Sequence, residues 1–286
     1  MDQTTPVLTQ YSGVCNARRK RSGKIKIGVH SKSNSAVKIL ITVLLGLTVY
    51  AFISFDYKEI VLGEAIAATL RNVKTVFLEP KLSTDTFKNV MYQLFLTFCL
   101  GTLSTIFGAI AAFFCSLLCA KNTAPSGVAN AVKCVIALIR AVPTVLWVLI
   151  FAVSAGLGSV AAVIGLTFHS FAYLTKVYAE SIEEIDDGTI EVLRASGAGF
   201  WQIVFQAIVP ASLSRMVAWT FMRFEINFTN AIAVGAAAGA GGIGFNLYMA
   251  GSFYFNLHEM GILTYIVVIA VVMLEMFSTK IKERVK

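Results

Sequence analysis

The sequence predicts an all-α polytopic membrane protein of six transmembrane helices, with a basic tail before the first and a long polar segment between the fourth and fifth. Three observations lead there. The 286 residues are 57% hydrophobic and only 14% charged, against about 25% charged in soluble domains. The apolar residues gather in runs of the length that crosses a bilayer as a helix, about 20 residues. The basic residues behind the net charge of +8 concentrate near the chain ends, a distribution that sets membrane topology and does not suit nucleic acid.

Residues 1–36 read as a disordered basic cytoplasmic tail, with Arg18, Arg19, Lys20 and Arg21 followed by Lys24, Lys26, Lys32 and Lys38 just beyond it. The first apolar run starts too far along the chain for a signal peptide, and no small-residue cleavage site follows it. Residues 37–286 read as one transmembrane domain. The first span is "AVKILITVLLGLTVYAFISF", 36–55. Residues 56–88 then fall outside, with 60–78 suited to an interfacial helix. The run 89–120 is too long for one upright span and too short for two, so one tilted or protruding helix is expected. The third span covers 130–154, kinked at Pro143, and Gly156 and Gly158 link it tightly to the fourth at 157–178. The fifth covers 211–235 and the sixth 259–278. A cytoplasmic N-terminus and six crossings place the basic end "STKIKERVK" in the cytoplasm too. Lys121 and Lys133 flank the loop after the second span, which falls inside. The loop 179–210 also falls inside, and its acidic residues weigh little in orientation.

The five cysteines, Cys15, Cys99, Cys115, Cys119 and Cys134, form no CxxC pair and read as small packing residues. With three histidines in all, no catalytic or metal-ligating spacing is found. The chain lacks a GxxxxGK[ST] phosphate loop. No cofactor is therefore expected in it, and any ATP must be bound by a partner subunit.

Between the fourth and fifth spans, "EVLRASGAGFWQIVFQAIVP" runs from Glu191 to Pro210. Asp187 suits the cap of a short helix through about Ser196, stopped by Gly197. A second helix starts near Gly199, with Phe200, Ile203, Val204, Ala207 and Ile208 on one face. Pro210 suits the start of the next helix. By periodicity alone this segment serves equally as a helix resting in lipid headgroups.

The same stretch resembles the EAA loop of ABC importer permeases. Glu191, Gly197 and Pro210 keep the spacing of that motif, while Val192 and Leu193 replace its two alanines, and Ala207 and Val209 its apolar and leucine positions. Three further stretches, "RAVPTVLWVLIFAVSAGLG", "HSFAYLTKVYAESIEEID" and "MRFEINFTNAIAVGAAAGAGGIG", resemble the phosphonate ABC transporter permease family in order and spacing. The resemblance runs from about residue 88 to the end. "GAGGIG" at 239–244 is also similar to methionine-type permeases, and "GAAAGAGGIG" runs one alanine longer than the phosphonate-type pattern.

The resemblance implies a methionine-permease-like type I importer fold in a bacterial cytoplasmic (inner) membrane. It implies a homodimer with the pore on its two-fold axis, separate ABC ATPase subunits and an extracytoplasmic substrate-binding protein. The segment 180–210 becomes the coupling loop, with Glu191, Ala195, Gly197 and Pro210 its candidate residues. Gly239, Gly241, Gly242 and Gly244 would border the external gate, although as residues they suit a flexible loop equally well. The implied cargo is phosphonate or a related phosphorus oxyanion, such as phosphite or a phosphate ester. A permease for methionine or another small solute is the alternative within the superfamily. A channel not driven by ATP, or a membrane enzyme, is the alternative outside it.

Ionisable residues inside spans are costly and point to function. Span five carries Arg223, Glu225 and Asn227, with Arg223 and Asn227 one turn apart on a shared face. His169 lies mid-span in the fourth, and Arg140 precedes Pro143 in the third. Guanidinium groups match the oxygens of a tetrahedral oxyanion, so Arg223 or Arg140 would face the translocation path. A structural ion pair of Arg223 with Glu225 or another helix explains the same residues, as a packing role explains His169.

Overall fold

The computed structural model describes residues 15–19, 25–29, 32–54 and 61–285, with side chains over 35–54 and 61–283. The chain divides into two units, Met1–Ile66 and Ala67–Lys286.

In the first unit, inside the segment expected to be a disordered tail, β1 (Cys15–Arg19) and β2 (Ile25–Val29) pair antiparallel, Cys15 opposite Val29 and Arg19 opposite Ile25. The β2 sequence Ile-Lys-Ile-Gly-Val alternates branched apolar residues with others, the period of a strand. Much of the basic run, Lys20 and Arg21 through Lys24, lies outside the described residues. Helix α1 (Lys32–Ser54) follows. Its apolar residues are spread around the axis, as in a helix immersed in hydrocarbon. Thr42 and Thr48 turn their hydroxyls back onto the carbonyls of Lys38 and Leu44, so neither adds an unsatisfied donor.

Helix α2 (Leu62–Leu78) forms where the interfacial helix was expected. Its C-terminal end is fastened to the start of the last helix: Tyr265 Oη donates to the Phe77 carbonyl at 2.7 Å, and Lys81 N–H to that of His258 at 3.1 Å. Helix α3 (Phe87–Cys119) is one unbroken rod of 33 residues. At 1.5 Å per residue it is about 50 Å long, well beyond a hydrocarbon core of about 30 Å.

The third span is corrected. It consists of two helices, α4 (Ser126–Ala141) and α5 (Thr144–Ala155), which meet at 88°. Pro143 has no N–H to continue α4 and forces Val142 into an extended conformation (φ −87°, ψ 126°). Trp147 Nε1 donates to the Ile139 carbonyl at 2.9 Å and closes the elbow. After Gly156 and Gly158, both at positive φ, α6 (Ser159–Glu183) runs through the middle of the bundle.

The polar segment begins with α7 (Asp187–Ala195). Asp186 occupies the N-cap, one residue before the Asp187 expected there. A further correction follows. The amphipathic helix and the fifth span are one continuous run, α8 (Phe200–Ile203), a π-helical turn at Val204–Ile208, and α9 (Val209–Ala238). Pro210 does not start a new helix. The π turn widens the backbone just ahead of it, with Val209 N–H reaching back to the Val204 carbonyl, which relieves the clash a proline ring makes with the preceding turn. Phe200 also leaves the expected apolar face: Ile203, Val204, Ala207 and Ile208 are buried, Phe200 is exposed. A short α10 (Gly242–Tyr248), a second π turn at Met249–Phe253 and α11 (Leu257–Val285) complete the chain. Among the described residues five helices are long and apolar enough to cross a membrane, and the bent α4–α5 pair would make six.

Helix α6 packs against α3, α4, α5 and α9. Small residues permit this. A Cβ on Gly108 of α3 would sit 2.8 Å from Ser170 Cβ, and one on Gly165 of α6 would sit 2.6 Å from the Val148 backbone. Without a large hydrophobic drive between helices in lipid, such close approach is the main source of association. One buried cluster, at the end carrying α7, joins Leu117, Leu174, Ile182, Ile190 and Ile208; Cys119 packs within it. A second joins Leu100, Leu166 and Val234.

Candidate functional site

Where α3, α6 and α9 cross, the bundle holds a polar cluster. Gly101 lets α3 approach the backbone of Phe228 on α9, as Gly108 lets it approach Ser170 on α6. That places Thr105, Ser170 and Asn227 within reach of one another, all of them buried. Asn227 Nδ2 donates to Thr105 Oγ1 at 2.9 Å and to Ser170 Oγ at 2.8 Å. Both hydroxyls also lie within donating distance of their own helix, Thr105 of the Gly101 carbonyl and Ser170 of the Leu166 carbonyl. Each hydroxyl that donates there keeps its lone pairs free to accept.

Arg223, one turn before Asn227, is 2% exposed. Its Nε donates to Ser170 Oγ at 3.0 Å, and its Nη2 lies 3.0 Å from His169 Nδ1. A guanidinium only donates, so Nδ1 accepts and the imidazole hydrogen sits on Nε2. The Tyr173 ring faces the Arg223 guanidinium at 5.2 Å and the Arg140 guanidinium at 5.9 Å. Two cations thus share one aromatic ring. Among the described residues no carboxylate forms an ion pair with either arginine. Among the described residues, Arg223 Nη1 and the Arg140 guanidinium have no hydrogen-bond partner. Arg223 is thus a buried cation with no counter-ion among the described residues, and an anion beside it would offset that cost.

Of the five ionisable or polar residues singled out in the spans, the structure therefore gathers Arg140, His169, Arg223 and Asn227 and separates Glu225. Glu225 points to α11 and pairs with Lys282 at 3.3 Å. The ion pair of Arg223 with Glu225 does not form. Sequence reasoning missed Thr105, Ser170 and Tyr173, since hydroxyl and aromatic residues in a span carry no cost that marks them. Ser170 and Tyr173 do stand one and four residues after His169, the neighbourhood of a helix face.

The coupling-loop candidates fall on α7, on the turn after it and at the start of α9. Gly197 has φ +83°, and it ends α7 in a Schellman turn: Gly197 N–H bonds the Arg194 carbonyl and Ala198 N–H that of Leu193, each at 3.0 Å. Gln202 Oε1 accepts from Gly199 N–H at 2.7 Å and starts α8. Glu191, Ala195, Gly197 and Pro210 are all exposed. The segment is anchored from behind by buried Ile190 and by Arg194, whose Nη2 reaches the Asn122 carbonyl at 3.2 Å.

At the opposite end of α9, the glycine run is clamped. Gly239, Gly241 and Gly242 all have positive φ, and a Cβ on Gly244 would collide with the Ile232 carbonyl. Gln93 and Thr97 of α3 accept the amides of Gly242 and Ile243 at 3.0 Å, and Ser159 Oγ donates to the Ala240 carbonyl at 2.7 Å. Nearby, a carboxylate that the sequence did not single out, Glu259, is 2% exposed. It accepts from the amides of Thr84 and Asp85 at 3.0 and 2.8 Å and from Asn256 Nδ2 at 2.9 Å.

A helical bundle with several membrane spans, a buried cationic cluster and an exposed helix–turn–helix between two spans defines a membrane transport component. The match to the family description extends over residues 112–281, and the chain belongs to the binding-protein-dependent transport system inner membrane component family, the permease subunits of ABC importers. It is similar to a phosphate-import permease protein PhnE of Mycolicibacterium smegmatis, 36% identical over 152 residues, covering 53% of this chain and 28% of that one. It is also similar to the phosphite transport system permease protein PtxC of Stutzerimonas stutzeri, 29% identical over 185 residues, covering 64% of this chain and 65% of that one. The chain thus spans less than two thirds of the length of these relatives. Its fold matches the inward-facing MetNI methionine ABC transporter with a TM-score of 0.64 and 22% identity, over 72% of this chain and 100% of that one. It also matches a bacterial ABC transporter for the acidic polysaccharide alginate with a TM-score of 0.60 and 14% identity, over 88% of this chain and 98% of that one.

Proposed function

We propose that the chain is the membrane-spanning subunit of an ATP-driven importer for phosphonate or a related phosphorus oxyanion, such as phosphite or a phosphate ester. The observation that carries this reading is that Arg140 and Arg223 both lie within 6 Å of the centre of the Tyr173 ring, at 5.9 and 5.2 Å, with no carboxylate partner among the described residues. A buried cation without a counter-ion is expensive. An oxyanion passing between two guanidinium groups offsets that cost while it is bound. Neutral His169, with its Nε2–H, adds a donor that does not depend on a second buried charge. The relatives named for phosphate and phosphite import support the same cargo class.

In this reading two copies of the chain form the pore between them in the bacterial inner membrane, with both termini cytoplasmic. A separate ATPase subunit docks on the exposed surface of α7, the Gly197 turn and α8, and its closure upon ATP moves these helices. Because α8 continues without a break into α9, that displacement reaches Arg223 along one helix. The glycine run 239–244 and its clamps form the gate on the far side, where an extracytoplasmic binding protein delivers the cargo. The test is transport of a labelled phosphonate by wild type and by Arg223→Gln. Loss of uptake with an unchanged yield of assembled protein supports the reading. Loss of the assembled protein itself assigns Arg223 to structure instead.

A second reading, import of methionine or another small solute, rests on relatives named as methionine permeases at 24% and 26% identity. Competition separates the two: excess phosphite or phosphonate blocks uptake in the first and has no effect in the second.

A further inference from the structure

Between α4 and α6, on the α7 side of Tyr173, lies a cavity of about 220 Å³ whose lining includes Lys133, Arg140, Lys176, Glu180 and Glu183. At roughly 30 Å³ per water, it holds a phosphate-sized ion with part of its hydration shell. Its charged groups are arranged unevenly. Lys133 is held by Glu183 at 2.7 Å, and Lys176 by Glu180, one turn further along α6, at 3.3 Å. Among the described residues Arg140 has no such partner, and its guanidinium lies 5.9 Å from the centre of the Tyr173 ring. The same Arg140 therefore lines the cavity and borders the Arg223 cluster. Along α6, His169, Tyr173, Lys176 and Glu180 recur at helical spacing on one face. That stripe leads from the buried cluster to the end of the bundle that carries α7.

We propose that this cavity is a weak exit site for a small phosphorus oxyanion, entered by way of Arg140, and that Glu180 and Glu183 set how readily the anion leaves. The inference rests on the functional reading above. A permeating ion needs binding strong enough to draw it in and weak enough to let it go. Three bare cations in a partly enclosed site would retain a doubly charged oxyanion. Two of the three are already engaged by carboxylates, which compete with the anion for the lysine ammonium groups. One free guanidinium is left to take the ion from Arg223. If the ion pairs only fasten α4 to α6, removing a carboxylate changes stability and leaves anion binding as it was.

The test titrates inorganic phosphate into the 286-residue chain in lipid nanodiscs at low ionic strength, by calorimetry, alongside uptake of labelled phosphonate in cells. Glu180 is the cleaner position, since its side chain is half exposed and such pairs add little to stability. Glu180→Gln is expected to tighten phosphate binding about fivefold and to slow uptake at saturating substrate. Glu183→Gln moves both in the same direction, and Arg140→Gln abolishes the binding. Phosphate binding that ignores Glu180→Gln and Arg140→Gln but disappears in Arg223→Gln overturns the exit site and leaves the Arg223 reading intact. Absence of both phosphate binding and phosphorus-oxyanion uptake in the wild type removes the exit site together with the functional reading.

Discussion

Arg223 and Glu225 stand two residues apart on α9 and take separate partners: Arg223 turns inward to Ser170 and His169 on α6, and Glu225 turns to Lys282 on α11. The arginine is thereby left as a buried cation with no carboxylate partner among the described residues. The glutamate becomes half of an ordinary helix–helix ion pair. Substitution should separate the two roles. Arg223→Gln is expected to lower uptake at least tenfold with the yield of folded protein unchanged. Glu225→Gln should leave the uptake per folded molecule near wild type and loosen the α9–α11 contact. Labelled phosphonate uptake, normalised to detergent-extracted protein, checks both.

Asn227 links three helices through Thr105 and Ser170. Replacing it with leucine leaves Ser170 and Thr105 without that donor inside the bundle. A cost of about 1–3 kcal/mol is expected, seen as a lower melting temperature in detergent. Asn227→Asp loses the same two donated hydrogen bonds and places carboxylate oxygens against the Thr105 and Ser170 oxygens.

The crossing of α3 and α6 depends on Gly108 having no side chain. Gly108→Val requires the two helices to separate, since even its Cβ would fall 2.8 Å from that of Ser170. Overpacking of this kind costs about 1–3 kcal/mol. It would also draw Ser170 away from Arg223, so uptake should fall by more than the fraction of protein lost. Folded yield and uptake measured on the same membranes test this.

Gly197 at φ +83° is the joint between α7 and α8. Gly197→Asp strains that turn and adds a charge to the exposed surface proposed for the ATPase. Co-purification of the ATPase should drop, while the melting temperature of the isolated chain changes by only a few degrees. Normal transport by this variant would remove α7 and α8 from the coupling role.

Glu259 gathers two backbone amides and the Asn256 side chain just before the N-terminal end of α3. Glu259→Ala removes the acceptor of these part-buried donors, at about 1–3 kcal/mol. Hydrogen exchange should increase at Thr84 and Asp85 and leave the α7 region unchanged.

Hydropathy made the spans legible, because composition over about 20 residues decides whether a helix can sit in hydrocarbon. The Gly197 turn was legible as well, since few residues other than glycine adopt its conformation. Pro143 gave the position of a break but not its size, which the Trp147 hydrogen bond and the packing of α5 on α6 determine. Pro210 misled, because a proline reads as a boundary unless the preceding turn widens, and nothing in "VFQAI" announces a π turn. In the candidate site, charge flagged Arg140 and Arg223. Their shared ring, Tyr173, and their neutral partners depend on which faces of α3, α6 and α9 meet, and small residues such as Gly101 and Gly108 set that only in three dimensions.

The central claim is transport of a phosphorus oxyanion through the Arg140–Tyr173–Arg223 cluster. Its most direct measurement is growth of a deletion strain on alkylphosphonate, phosphite or phosphate as the only phosphorus source, complemented with wild type, Arg223→Gln or Arg140→Gln. The account predicts that deletion abolishes growth on at least one of these sources, that wild type restores it, and that neither arginine variant does although both accumulate in the membrane. Growth restored by both variants, or growth of the deletion strain on all three sources without another transporter for them, would contradict it.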